Sequence, residues 1–179
     1  MLVSNHVSWL DILVLLAVQP LRFVSKSDIQ RWPVIGWLAT HAGTLYIERS
    51  SRRDALRTVH QIADALKSGD MIAFFPEGTT SDGSGLLPFH ANLLQAAIAV
   101  NAPVQAVTMR FQDAATGQRS RVAAYIDDDH LLGSVWGLLH AAPLEIKLQF
   151  ASPEHAGARD RRAWAQDLHQ KMLETLQNK

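Results

Sequence analysis

The stretch Met71-Ile72-Ala73-Phe74-Phe75-Pro76-Glu77-Gly78-Thr79-Thr80-Ser81 decides the fold. Five apolar residues in succession are too few for an ordinary helix. Continuous apolar runs of this length mark strands covered on both faces in a parallel sheet. Pro76 has no N–H to give to a sheet ladder, so the strand stops there, and the polar, glycine-bearing stretch through Gly85 reads as loop. Beyond it, Asn92 to Val100 reads as a helix and Val104 to Phe111 as a strand. Strand, helix and strand in that order form a right-handed βαβ crossover.

The same alternation continues on both sides. Leu21 to Val24 and Thr44 to Ile47 read as strands, and between them Pro33 to His41 reads as a short helix with Gly43 past its end. Ala55, Leu56, Val59, Ile62, Ala63 and Leu66 recur at helical spacing, with Ser51 and Asp54 as a capping box and Gly69 as the stop. Thr116-Gly117 marks a turn into Arg121 to Ile126, the expected antiparallel hairpin partner of strand 104–111. Leu131 to Ala141 reads as a helix, and Leu144, Ile146, Leu148 and Phe150 alternate as a half-buried strand. Trp164, Leu168, Met172 and Leu176 line a terminal helix. No linker divides residues 1–179. The expected fold is α/β, a single domain with a mixed, largely parallel central sheet flanked by helices.

Composition narrows the function. Seventeen Lys and Arg balance seventeen Asp and Glu, which sets aside a strongly basic nucleic-acid binder and an acidic disordered chain. With no Cys there is no disulfide, no thiolate metal site and no Cys nucleophile. The longest apolar run, Ile12 to Val18, is far short of the ~20 residues of a spanning helix, and no signal-peptide pattern surrounds it. Of the eight His, those at 41, 130, 140 and 155 lack the spacing of a metal site.

Four groups of residues could carry chemistry. In Asn5-His6-Val7-Ser8-Trp9-Leu10-Asp11, His6 can act as a general base with Asp11 fixing its tautomer. The same residues also read as a plain capping box, Ser8-x-x-Asp11, ahead of an apolar helix. The loop Glu77-Gly78-Thr79-Thr80 follows a buried strand, where open α/β sheets bind ligands, or is an ordinary turn. Arg49, Arg52, Arg53 and Arg57 follow strand 44–47. Arg49 at the strand end suits an anion, while Arg52 and Arg57 read as a solvated helix face. Trp32, Trp37 and Leu38, and Leu131, Leu132, Val135, Trp136 and Leu139, read as a membrane or acyl-chain surface or as core. His90 follows the Glu77 loop and is expected to face the same cleft.

Taken in order, these segments resemble the glycerolipid acyltransferase family, the 1-acylglycerol-3-phosphate acyltransferases and related lysophospholipid acyltransferases. Asn5 to Asp11 is similar to the family's N-H-x-S-x-x-D motif. Lys26, Pro33 and Gly36 are similar to its K…P…G segment, and Gly43 to Arg49 to its G-x-x-F-I-D-R block. Phe75 to Ser81 is similar to F-P-E-G-T-R-S, and Ala102-Pro103-Val104 to its fourth block. The resemblance covers about residues 3–108.

It implies an O-acyltransferase that moves a fatty acyl group from acyl-CoA or acyl carrier protein to the free hydroxyl of a lysophospholipid. His6 and Asp11 would be catalytic, and Asn5, Ser8, Arg49, Glu77, Gly78, Thr79 and Thr80 would bind substrate. No metal, no cofactor beyond the acyl donor and no nucleic acid are implied. The implied location is peripheral, on the cytoplasmic face of a bacterial inner membrane.

Three departures bear on this reading. Thr80 stands where the family often has Arg, which opens the alternative of a non-phosphate lysolipid such as one containing an amino acid. His90 and Asn92 stand where relatives often carry Lys and Gly. Only Met1 to Ser4 precede Asn5, so the chain is expected to lack the family's N-terminal membrane anchor and the strand leading into the motif. That loss would leave a sheet edge open beside His6 and motivates a second alternative, a truncated, non-catalytic lipid-binding remnant. A third is a hydrolase with Ser8 as nucleophile.

Overall fold

The computed structural model describes residues 1–47, 52–126 and 129–178, with Arg52 as helix backbone only. Six strands form one sheet in the order β3-β2-β4-β1-β5-β6. They are β1 (Leu2–Ser4), β2 (Arg22–Lys26), β3 (Leu45–Ile47), β4 (Ile72–Phe74), β5 (Gln105–Asp113) and β6 (Leu144–Phe150). The first five run parallel, and β6 pairs antiparallel with β5 from Val107↔Phe150 to Asp113↔Leu144. The expected α/β fold with a mixed, largely parallel sheet is the observed one.

Among the described residues the sheet is accompanied by six α-helices: α1 (Leu10–Val18), α2 (Ile35–His41), α3 (Arg52–Lys67), α4 (Leu94–Ala99), α5 (Leu131–His140) and α6 (Arg161–Gln177). Side chains alternate across a strand, and the core divides accordingly. Val3 and Phe74 pack with Leu94 of α4 and Trp164, Leu168 and Met172 of α6. Leu2 and Ala73 pack with Leu15 of α1, and Leu138 of α5 joins them. Val59, Ile62 and Ala63 of α3 close over Ile72 and Ala96. So α3, α4 and α6 lie on one face and α1 and α5 on the other. Trp164 is fully buried, and its Nε1–H donates to Glu154 Oε1 at 2.8 Å, which satisfies the one polar atom it takes inside.

Two expectations change. Met1 to Ser4 is no frayed remnant: Leu2, Val3 and Ser4 form β1 in the middle of the sheet, parallel to β4 (Val3↔Phe74) and to β5 (Ser4↔Val107). No sheet edge lies open beside His6. Arg121 to Ile126 is not a hairpin strand. Pairing on the β1 side of β5 stops after the single bridge Gln112↔Arg119 and the Ser120 N–H bond to the Phe111 carbonyl, because the next groups on that side, the Met109 N–H and carbonyl, are taken by the Asn5 side chain. The helix expected over Pro33 to His41 starts at Ile35, after a 3-10 turn at Ser27–Arg31. Gly36 lies against that turn so closely that an added Cβ would stand 2.3 Å from the Gln30 carbonyl oxygen.

The connections give the sheet its switch point. From β1 the chain leaves over the α1 face toward β2, and from β4 it leaves over the α4 face toward β5. Since β1 and β4 are neighbours, their carboxyl ends part in opposite directions and leave a crevice between them, where ligands of open α/β sheets bind.

Candidate active site

His6 follows the end of β1 at this crevice. Its Nδ1 lies 2.8 Å from Asp11 Oδ2. A carboxylate only accepts, so Nδ1 carries the hydrogen and Nε2 keeps its lone pair. No residue bonds Nε2 among those described, and the His6 side chain is 18% exposed against 0% for Asp11. His6 is therefore reachable while Asp11 is sealed. The imidazole stacks on Phe75, with centroids 3.9 Å apart and planes 9° from parallel.

Asp11 does two jobs with one oxygen. Oδ2 also accepts the backbone N–H of Val7 at 2.7 Å and of Ser8 at 3.0 Å. The Ser8 hydroxyl in turn accepts the Leu10 N–H at 3.3 Å. The capping box and the His-Asp pair, set side by side as rival readings of this segment, are thus one structure. The cap that starts α1 fixes where Asp11 points. Ser8 is buried, and its hydroxyl is engaged in the cap.

The β4 loop holds His6 from the other side. Glu77 Oε1 accepts the His6 backbone N–H and Oε2 accepts the Leu87 N–H, both at 2.8 Å. The His6 carbonyl accepts the Ser81 N–H at 2.8 Å. Burial pushes the Glu77 carboxyl above its usual range, and the Leu87 and His6 amides oppose that shift without cancelling it. Asn5 is buried and bonds both ways to Met109, Nδ2 donating to its carbonyl at 3.0 Å and Oδ1 accepting its N–H at 2.7 Å. Asn5, Ser8 and Glu77, expected to bind substrate, instead bond to backbone. Buried polar atoms need partners, and here the partners are loops that must be held together.

The remaining predicted residues divide. Gly78, at φ 71°, lines a cavity of about 270 Å³ with Phe75, Thr58, His90 and Asn92. Thr79, next in the chain, is exposed. The Thr80 hydroxyl donates to the Tyr125 carbonyl, and the Tyr125 N–H donates to the Val7 carbonyl at 3.0 Å. The Thr80 position thus helps tie the motif together and carries no charge. Arg49 lies outside the described residues. Arg53, Arg57 and Lys26 are exposed. Among the described residues no group of three or more His, Asp or Glu is gathered as for a metal ion. Phe75 and Ser81 were not singled out individually by sequence. The signal available for Phe75 was its position as the last apolar residue before Pro76.

The α1–α5 side carries uncovered apolar residues, and α5 is tied to the His6–Asp11 segment by the Trp9 Nε1–H, which donates to the Ser134 hydroxyl at 3.1 Å. Leu132, Trp136 and Leu139 of α5 are 84%, 66% and 73% exposed. Trp32, Trp37 and Leu38 around α2, and Leu13 and Val18 of α1, are exposed as well. Of the two readings open for these segments, a membrane or acyl-chain surface and core, the core reading fails for Trp32, Trp37, Leu38, Leu132, Trp136 and Leu139. No helix among the described residues is long and apolar enough to cross a membrane.

Comparison with known proteins agrees with this geometry. Residues 1–110 match the acyltransferase family. The chain is 43% identical over 147 residues to a 1-acyl-sn-glycerol-3-phosphate acyltransferase of Neisseria gonorrhoeae, covering 82% of this chain and 57% of that protein. It is 37% identical over 168 residues to a lyso-ornithine lipid O-acyltransferase of Pseudomonas aeruginosa, covering 94% and 64%. Against the enzyme of the same name from Brucella abortus it is 34% identical over 190 residues, covering 99% and 71%. The chain thus spans about three fifths of the length of the first two. The crystal structure of the acyltransferase PlsC from Thermotoga maritima superposes with a TM-score of 0.65 at 20% identity, over 99% of this chain and 66% of that one. With this fold, this order of motifs and these relatives, the chain belongs to the acyltransferase family.

Proposed function

We propose that the chain catalyses O-acyl transfer from a fatty acyl thioester, acyl-CoA or acyl carrier protein, to the free hydroxyl of a lysolipid. The observation that carries this reading is the His6–Asp11 pair at the switch point, with Nε2 open and Nδ1 held. His6 Nε2 takes the proton of the acceptor hydroxyl as its oxygen attacks the thioester carbon. A C–O bond forms, the tetrahedral intermediate collapses, the C–S bond breaks, and the imidazolium returns the proton to the departing thiolate. The acceptor hydroxyl fills the role that a serine has in a hydrolase triad. Arg49 and the Gly78-Thr79 loop position the acceptor head group.

The lysolipid is drawn from a membrane on which the chain sits peripherally, on the cytoplasmic face, where thioester donors are found. The uncovered Trp and Leu of α2 and α5 support this, because indole rings favour the interface between water and hydrocarbon. A second reading of the acceptor rests on Thr80. Its hydroxyl is engaged with Tyr125 and offers no cation to a phosphomonoester, which favours an amino-acid-containing lysolipid over 1-acylglycerol-3-phosphate.

The experiment is thiol release from acyl-CoA, measured without acceptor, with lysophosphatidate and with a lyso-ornithine lipid, for wild type and His6→Ala. Acceptor-dependent release that vanishes in His6→Ala is the expected result, and the preferred acceptor decides between the two head groups. Release without acceptor would mean a thioesterase. No release from folded protein with either lipid would favour the lipid-binding remnant.

A further inference from the structure

The α6 face carries a feature the reaction as written does not use. A cavity of about 750 Å³ lies between the segment 86–92 and the first turns of α6, with Arg161, Arg162, His169, His90 and Asn92 in its wall. No Asp or Glu lines it. Among the described residues neither guanidinium makes a hydrogen bond or a close ion pair, and both act on Asp160 at longer range. The adjacent carboxylate, Asp160, caps α6 by accepting the Arg162 and Ala163 N–H groups, both at 2.8 Å. Phe89 meets His169 edge-on at 4.8 Å and forms an apolar wall. A concave site of this size with two open guanidiniums and two imidazoles suits an elongated ligand that ends in phosphate.

Two relations aim the cavity at the reaction. His90 and Asn92 also line the 270 Å³ cavity, whose wall includes Phe75 and Gly78. Phe75 is the ring on which His6 stacks. The two cavities therefore share a border and lead from Arg161 and Arg162 to the strand end behind the base. The sheet also separates them from the uncovered apolar residues of α1 and α5. A lipid acceptor arrives by that apolar side, which leaves the basic, water-facing side to the soluble co-substrate.

We propose that the paired cavities bind the phosphopantetheine arm of the thioester donor, with its phosphate at Arg161 and Arg162 and its chain passing His90 and Asn92 toward Phe75. The arm is common to acyl-CoA and acyl carrier protein, so the site reads what the two donors share. This inference rests on the acyl-transfer reading above.

The test compares four donors of one acyl chain: acyl-pantetheine, acyl-4′-phosphopantetheine, acyl-CoA and acyl carrier protein. Each is assayed with wild type and with the double variant Arg161→Ala/Arg162→Ala. In wild type the phosphate is expected to raise kcat/KM at least tenfold over acyl-pantetheine, and in the double variant that advantage falls to within twofold. The Lys/Lys variant, which keeps the charge, retains part of it. An undiminished phosphate advantage in the Ala variant overturns the site. A loss confined to acyl-CoA also overturns it, since the adenosine phosphates are then what the residues read. A loss confined to the carrier protein does the same, pointing to an acidic protein surface. Calorimetric binding of CoA to the His6→Ala chain, with and without the Arg changes, needs no turnover. If no donor supports transfer yet binding of 4′-phosphopantetheine, measured the same way, weakens tenfold without the arginines, the acyl-transfer reading fails and the site stands; if only CoA binding weakens, the site is overturned.

Discussion

The imidazole of His6 lies flat on the ring of Phe75, 3.9 Å between centroids and 9° from parallel. A single bond to Asp11 leaves an imidazole free to pivot about that contact, and the aromatic floor removes the freedom. Phe75 touches no reacting atom in the proposed reaction, so it is a positioning residue. Phe75→Leu is expected to lower kcat about tenfold while KM for the acceptor moves less than twofold. Phe75→Tyr, which keeps the ring, restores most of the loss. Steady-state kinetics on the three proteins check this. A change in KM alone would mean that Phe75 contacts substrate.

Asp11 separates catalysis from folding. Asp11→Asn can set its one oxygen at the Oδ2 position and keep the His6, Val7 and Ser8 bonds, so it preserves the geometry but removes the negative charge that stabilises the imidazolium, and its N–H₂ takes the place of Oδ1, which has no partner. Acyl transfer is expected to fall about 10³-fold or more, with the folded state retained. Asp11→Ala removes the acceptor altogether and leaves two buried N–H groups unpaired. It should cost about 2–5 kcal/mol of stability in addition. Urea denaturation read beside the kinetics separates the two variants, and equal stability of both would contradict the shared-oxygen geometry.

Glu77 gives a pH signature. Burial raises its carboxyl pKa in the folded chain. Between the ordinary carboxylate value and the raised one, the native state holds more protons than the unfolded state. Its contribution to stability is therefore greatest at low pH, falls as pH rises through that interval, and is level above it. Glu77→Gln abolishes this slope. It also sets an amide N–H₂ against either the His6 or the Leu87 N–H, at a cost of about 1–3 kcal/mol. Urea midpoints of both proteins from pH 4 to 8 check the sign: the difference between them should be largest at the acid end.

The outline of the fold was legible because most elements advertise themselves locally. The run 71–75, the spacing of α3 and the alternation of β6 each follow from burial on a known face. β1 was not legible. Leu2-Val3-Ser4 is too short to show a pattern, and it is central only because β4 and β5, some 70 and 103 residues on, close on both sides of it. The 121–126 segment is not a strand because the Asn5 side chain takes the Met109 groups a hairpin would need, and a turn signal cannot show that. In the site, residue types identified His6 and Asp11, but Asn5, Ser8 and Glu77 look the same whether they face a ligand or a backbone amide. Only the tertiary fold decides that, and here it assigns them to amides and carbonyls.

Gly36 should tolerate no side chain. Its position lacks a left-handed φ, so the demand is one of space: an added Cβ would stand 2.3 Å from the Gln30 carbonyl oxygen and 2.8 Å from that of Ile29. Both are backbone atoms and cannot rotate away. Gly36→Ala is expected to pry α2 from the 3-10 turn at Ser27–Arg31 and to cost about 1–3 kcal/mol. Because the sheet core does not include α2, the loss should show as faster amide exchange over residues 27–41 with β1, β4 and β5 still protected.

The uncovered face of α5 supplies a prediction about membranes that leaves stability aside. Leu132, Trp136 and Leu139 are mostly exposed, so replacing them with Ser removes almost no packing, and the melting temperature should move by about 1 °C or less. The same change takes away apolar area that would enter a bilayer surface. Burying one such side chain is worth roughly 1.5–3 kcal/mol, so Trp136→Ser/Leu139→Ser is expected to weaken binding to anionic liposomes more than tenfold in sedimentation. Transfer to a lysolipid presented in vesicles should fall with it, whereas transfer to the same lysolipid in detergent micelles should fall much less. The difference arises because the reacting groups lie at the carboxyl ends of β1 and β4, not on α5. Equal losses in both assays would place α5 in the acceptor pocket itself and overturn its assignment as the membrane-facing helix.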